Sequence, residues 1–182
     1  MSILVVGSVA LDTVETPSGR ADEVLGGSAA YFAVAASYFA PVKVVAVIGD
    51  DFPAHERAVL SSPNIDLEGL EVRKGRTFRW TGRYHEDMNI RDTLDLQLNV
   101  FADFAPVLPA RYRDAPFVFL GNINPGLQGG VLDQLTQPRL IACDTISHWI
   151  EWARPELEAL LRRVEILVIN DEETRLLGRE RN

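Results

Sequence analysis

Ile3-Leu4-Val5-Val6-Gly7-Ser8-Val9-Ala10-Leu11-Asp12 is the stretch from which the fold is read. Its first four residues form a continuous apolar run that stops at a glycine. Val42–Ile48 repeats the pattern before Gly49-Asp50-Asp51, and Phe117–Leu120, Leu140–Cys143 and Ile166–Ile169 are built alike. Unbroken apolar runs of this length suit strands covered on both faces, as in a parallel sheet. Between them lie helical patterns. Ser28–Phe39 is rich in alanine and apolar nearly all round, so it reads as a buried helix. Ala54–Leu60, Gly126–Leu135 and Pro155–Val164 complete the set, the last with proline in the first turn, where its missing N–H costs little. Strand-helix alternation predicts right-handed βαβ units and an open α/β sheet.

The middle of the chain has another period. Phe78, Trp80 and Tyr84 fall on one face of an alternating segment, and Thr77, Arg79, Thr81, Arg83 and His85 on the other. Leu94, Leu96, Leu98 and Val100 alternate with Thr93, Asp95, Gln97 and Asn99. Period two marks half-exposed strands. They predict a small antiparallel sheet projecting from the α/β body, with Glu15–Leu25 adding to it. The whole chain, 1–182, is expected to be one domain, with the strands of the small sheet within 13–25 and 70–101.

A chain of 182 residues, 47% hydrophobic and 24% charged, suits one well-buried domain. Eighteen basic residues against 26 acidic give a net charge of -8, and no basic stripe is visible, which argues against a nucleic-acid partner. No stretch is long enough to span a membrane, and the N-terminus reads as a strand, not a signal peptide. The single Cys143, inside an apolar run, reads as buried filler and points to a reducing cytoplasm. His55, His85 and His148 lack metal-ligand spacing, which argues against zinc.

Three local motifs carry chemistry. Asp12 lies just beyond a strand end, where open α/β sheets bind ligands, and a carboxylate there can accept two sugar hydroxyls; an ordinary loop aspartate explains it equally. Gly26-Gly27-Ser28-Ala29-Ala30-Tyr31 lets the backbone approach a ligand, with Ser28 able to cap the next helix. A tight turn with a good cap is the simpler alternative. Asn170-Asp171-Glu172-Glu173 follows a strand, and Asn170 with Glu173 forms a variant capping box. Glu173 could instead hold a hydrated Mg²⁺ near phosphates. Phe78, Trp80 and Tyr84 could cover a sugar ring or simply pack. Neither G-x-G-x-x-G nor G-x-x-x-x-G-K-[ST] is present, which removes support from those two nucleotide folds.

In order and spacing these motifs resemble the ribokinase-like (PfkB-type) carbohydrate kinase family over essentially the whole chain. The matching runs are G-S-V-A-L-D at 7–12, G-G-S-A-A-Y at 26–31, I-G-D-D at 48–51, G-N-I-N-P at 121–125, A-C-D-T at 142–145 and I-N-D-E-E at 169–173. The alternating T-F-R-W-T-G-R-Y strand falls between them. The resemblance implies a three-layer α/β/α body with a β-sheet lid. It implies ATP-dependent phosphorylation of a sugar or nucleoside hydroxyl, with ATP and Mg²⁺ as cofactors. Asp12, Gly26, Gly27, Ser28, Tyr31, Trp80 and Asn122 would then meet the substrate. Asn170 and Glu173 would organise phosphate and Mg²⁺, Glu173 through water. A homodimer through the lid is implied as well.

Ala10 and Tyr31 depart from the pattern of ribokinases proper, where asparagine is common, and this argues against ribose itself. Family members continue into a G-A-G-D motif that supplies the catalytic base and anion hole, whereas this sequence stops at Asn182 without it. The expectation is therefore a C-terminally truncated kinase with no catalytic residue of its own and little turnover. The alternative is a non-catalytic sugar- or nucleoside-binding or interaction module completed by another chain.

Overall fold

The computed structural model describes residues 2–179. Glu180, Arg181 and Asn182, part of the chain end weighed above, lie outside the described residues. The central sheet is parallel and six-stranded, in the order β10-β9-β8-β1-β4-β5. Its strands are β1 (Ile3–Val6), β4 (Val42–Gly49), β5 (Ile65–Arg73), β8 (Phe117–Leu120), β9 (Leu140–Asp144) and β10 (Ile166–Val168). Successive side chains point to opposite faces, so each apolar run feeds two cores. Val5, Val44, Ala46, Ile48 and Phe119 pack under α1 (Ser28–Ser37) and α2 (Ala54–Leu60). Leu4, Val6, Val45, Val47, Val118 and Leu120 face the other way, toward α3 (Pro125–Leu132) and α5 (Arg154–Leu161). The expected three layers follow from this double burial. Two further helices are α4 (Ser147–Trp152) and α6 (Asp171–Gly178).

A second sheet has four strands in the order β3-β2-β6-β7: β2 (Ala10–Thr16), β3 (Gly19–Gly26), β6 (Phe78–Tyr84) and β7 (Arg91–Gln97). The expectation of an antiparallel sheet needs correcting. β2 and β6 run parallel, and only β2/β3 and β6/β7 are antiparallel. Hairpins join the antiparallel pairs, whereas β2 and β6 are separated by the whole of α1 through β5, a connection long enough for parallel pairing. The sheet also starts earlier than expected, at Ala10, and residues 70–73 belong to β5 of the central sheet.

The two sheets meet at Thr77, which is fully buried. Its Oγ1 accepts from Gly49 N at 3.0 Å and donates to Asp51 Oδ1 at 2.7 Å, while Arg79 pairs with Asp51 Oδ2 at 2.8 Å. Burial would raise Asp51, but the Thr77 hydrogen bonds and the Arg79 guanidinium outweigh it and hold its carboxyl below the usual value.

Candidate functional site

Because β1, β8, β9 and β10 are parallel, the segments leaving them emerge at one edge of the sheet. Gly7-Ser8, Gly121-Asn122, Asp144-Thr145 and Ile169–Glu173 therefore line up along that edge. Three strand spacings separate the first from the last, roughly 14 Å. The N-termini of α1 and α6 both start from this edge, as required if Gly27 and Asn170 serve one ligand.

Asp12 leaves the edge on β2. Its register partner on β6 is Trp80, so the two side chains share a face. Gly26 leaves the space that the Asp12 carboxylate fills: a Cβ there would strike it and the carboxylate would have to turn away. Gly27 sits at φ 93°, and a Cβ on it would run into the backbone carbonyl of Ser8. No hydrogen bond to the Asp12 carboxylate forms among the described residues, and burial raises its pKa to about 6. The exposed Tyr31 stands near enough that, after burial, the Asp12 charge raises the phenol's pKa further.

Ser28 does not cap α1 as expected. It is the first helical residue, after Gly27 at the cap position. Ser8 takes the capping role from β1's exit, its Oγ accepting from Ser28 N at 3.1 Å and its carbonyl from Ala29 N at 3.0 Å. Ser28 Oγ is thereby free to accept from Asn122 N at 2.8 Å, a link across 94 residues. Asn122 Oδ1 in turn accepts from Trp149 Nε1 at 2.8 Å.

The Asn170 motif forms both halves of its capping box. Asn170 Oδ1 accepts from Glu173 N at 2.8 Å, and Glu173 Oε2 accepts from Asn170 N at 3.1 Å. Asn170 is exposed, whereas Glu173 is buried. Beside Glu173 lies Asp144, to which sequence reasoning gave no role although A-C-D-T was among the matching runs. Burial, and then the Glu173 charge, push Asp144 up to about 7. Asp144 Oδ1, Thr145 Oγ1 and Gln128 Oε1 are buried without a hydrogen-bond partner. Two carboxylates in mutual repulsion, one with an orphaned oxygen, suit a cation. Among the described residues no cluster of three or more His, Cys, Asp or Glu could hold a metal. The two carboxylates match what Mg²⁺ takes from a protein when it keeps most of its water.

Surface depressions lined by Ile150, Trp152, Arg154 and Leu176, and by Arg73, Arg76, Asn99 and Val100, contain none of these groups.

With this geometry, a nucleoside kinase of Methanocaldococcus jannaschii from the ribokinase family superposes with a TM-score of 0.75 at 17% identity, covering 98% of this chain and 63% of that one. The fold is that of the ribokinase family. A Burkholderia thailandensis nucleoside kinase in complex with inosine shares this ribokinase fold with a TM-score of 0.68 at 17% identity, over 98% of this chain and 63% of its own. Of other chains with the ribokinase fold, one from Escherichia coli holds ATP and Mg²⁺ and one from Cryptococcus neoformans holds ADP. In sequence the chain is similar to a cytidine kinase of Thermococcus kodakarensis, 29% identical over 180 residues. That alignment takes in 97% of this chain, which spans 64% of the relative's length. No protein-family model matches the sequence. The likeness to ribokinase-family sugar and nucleoside kinases inferred from the motifs stands.

Proposed function

We propose that this chain forms the acceptor-binding part of an ATP-dependent kinase acting on a nucleoside or sugar hydroxyl. The observation that carries the reading is Asp12: a half-buried, partnerless carboxylate, kept clear by Gly26 and faced by Trp80, at the edge where α1 and α6 begin. A carboxylate left unpaired in such a place is held for a ligand's hydroxyls. The exposed Tyr31 and the half-buried Trp80 offer aromatic surface to a flat or apolar ligand face. The similarity to a cytidine kinase and the departures at Ala10 and Tyr31 favour a nucleoside over ribose.

Phosphoryl transfer asks a protein mainly for positioning and charge stabilisation. Here Asp12 would orient the hydroxyl, and Gly26 and Gly27 would let the backbone approach it. Bound Mg²⁺ would neutralise charge on the phosphates of ATP. Asp144 and Glu173 are the residues that would hold it, with Asn170 keeping Glu173 in place through the cap. By the resemblance, the base comes from a G-A-G-D motif, which is not in this sequence. A general base typically contributes about 10²–10⁴-fold. The 182-residue polypeptide is therefore expected to bind the acceptor and turn over little ATP. Robust turnover in a coupled ATP-consumption assay would overturn that expectation.

The test of the main reading is calorimetry with cytidine and with ribose. Asp12→Ala should weaken binding roughly tenfold to a hundredfold, the worth of charge-assisted hydrogen bonds. Unchanged affinity removes Asp12 from the site. Affinity should also fall as pH drops through about 6, because protonation removes the charged acceptor.

A second reading, an interaction or binding module completed by another polypeptide, has its own support. Ile166 and Val168 lie on the face of β10 opposite the core residue Leu167, and both are exposed. No helix among the described residues covers that face, and no strand pairs with the outer edge of β10.

A further inference from the structure

Trp149 and Asn122 are joined by a hydrogen bond whose direction chemistry dictates. An indole N–H can donate but never accept, so the amide atom it meets must be the oxygen. The contact runs from Trp149 Nε1 to Asn122 Oδ1 at 2.8 Å. A free asparagine side chain can turn either end toward a ligand; this one cannot. Its backbone is held too. Asn122 N donates to Ser28 Oγ, and the preceding Gly121 N donates to Val6 O at 2.7 Å. Position and orientation are thus both set, by α1 on one side and α4 on the other. Asn122 Nδ2 makes no hydrogen bond among the described residues, and the residue is half-buried at the ligand-facing edge, beside the first turn of α1.

We propose that Trp149 is a positioning residue that holds Asn122 as an obligate hydrogen-bond donor, so that the site selects ligands placing an acceptor oxygen at Asn122 and a hydroxyl at Asp12. The inference rests on the nucleoside or sugar kinase reading. It deepens that reading by giving the ligand a polarity. The ionised Asp12 can only accept and the fixed amide can only donate. A ligand that reverses the pattern leaves both groups unpaired, and sites built on directed hydrogen bonds reject such analogues strongly.

The first measurement needs no ligand. Exchange of the Trp149 indole N–H should be slow, and Asn122→Ala should speed it about fivefold, the loss of one hydrogen bond of average worth. The indole of Trp152, 78% exposed, is the internal reference. If Trp149 exchanges as fast as Trp152 in the unsubstituted chain, the proposal is overturned. The second measurement is calorimetry with cytidine at neutral pH. Trp149→Phe keeps an aromatic ring but removes the donor, and should weaken binding roughly threefold to tenfold. In the Asn122→Ala background the same change should have no further effect. Equal losses in both backgrounds would make Trp149 merely structural, and no loss in either would put Asn122 out of the ligand's reach; both results overturn the proposal. If neither cytidine nor ribose binds the unsubstituted chain, the kinase reading fails and takes the ligand half of the proposal with it. The exchange experiment then still reports on the Trp149–Asn122 coupling, so the two failures are distinguishable.

Discussion

Asp144 shows how a residue's chemistry depends on its surroundings more than on its type. Its carboxyl is raised from 3.8 to about 7, first by burial and then by Glu173. Between those values the folded chain keeps a proton that the unfolded chain releases, so stability from this group falls as pH rises through about 7 and is recovered on acidification. The melting temperature should therefore be lower at pH 8 than at pH 5.5 insofar as Asp144 contributes. Asp144→Asn should flatten that dependence and raise the melting temperature at pH 8 by roughly 3 °C or more, the equivalent of about 1 kcal/mol. Added Mg²⁺ should raise it at pH 8 in the unsubstituted chain and less in the variant. A Mg²⁺ response that survives Asp144→Asn in full would place the cation elsewhere. The sequence offered only a faint sign of this site: A-C-D-T was visible, but burial and the proximity of Glu173 were not. Asp12 drew attention because it follows within five residues of the glycine that ends β1, but its place on β2, with Trp80 as register partner, was not visible. Nor was the raised pKa, since it arises from packing.

Elements with a single, unbroken period were easiest to read. β1 and β8 are continuous apolar runs with both faces buried, and their bounds match the expected ones. β5 went unrecognised because Gly69 breaks its alternation. That glycine is needed where β5 passes the Val44 carbonyl, to which a Cβ would come within 2.5 Å. The strand expected to run on to Val100 ends at Gln97, and a 3-10 turn covers Asn99–Phe101. Within it, Thr93 pairs with Gly82 and Asp95 with Thr81, so Leu94 is left as an extra, bulged residue. An alternating pattern cannot reveal such a slip. The start of α1 depends on Gly27, whose φ of 93° and closeness to Ser8 leave no room for a side chain. Gly27→Ala should destabilise the chain by roughly 1–3 kcal/mol in urea unfolding. Asn170→Ala removes half of a capping box and should cost about 1 kcal/mol in the same measurement. No change for Asn170→Ala would mean that α6 is held by packing alone.

At the scale of the molecule, apolar side chains stay exposed in several places among the described residues, and two of these lie on the sheets. One is the small sheet, where Leu94 and Leu96 are exposed, with Ile90 in the loop just before β7. The other is the face of β10 bearing Ile166 and Val168. Patches of this kind drive association. A homodimer through the small sheet, as the family resemblance implies, should be weakened by Leu96→Glu. Association through the open sheet should instead be weakened by Val168→Lys, since a lysine on an edge strand opposes further pairing. Sedimentation velocity on the two variants decides between the surfaces, and a monomer in the unsubstituted chain counts against both. Along the chain, the residues themselves dictated the alternation of strands and helices, the double burial of the central strands and the helix that Asn170 opens. These properties depend on neighbours one to four positions away. Strand order, the parallel pairing of β2 with β6, Ser8 as the cap of α1 and the chain of contacts from Ser28 through Asn122 to Trp149 came from folding in three dimensions. Periodicity records which face of an element is apolar, but not which distant element will cover it.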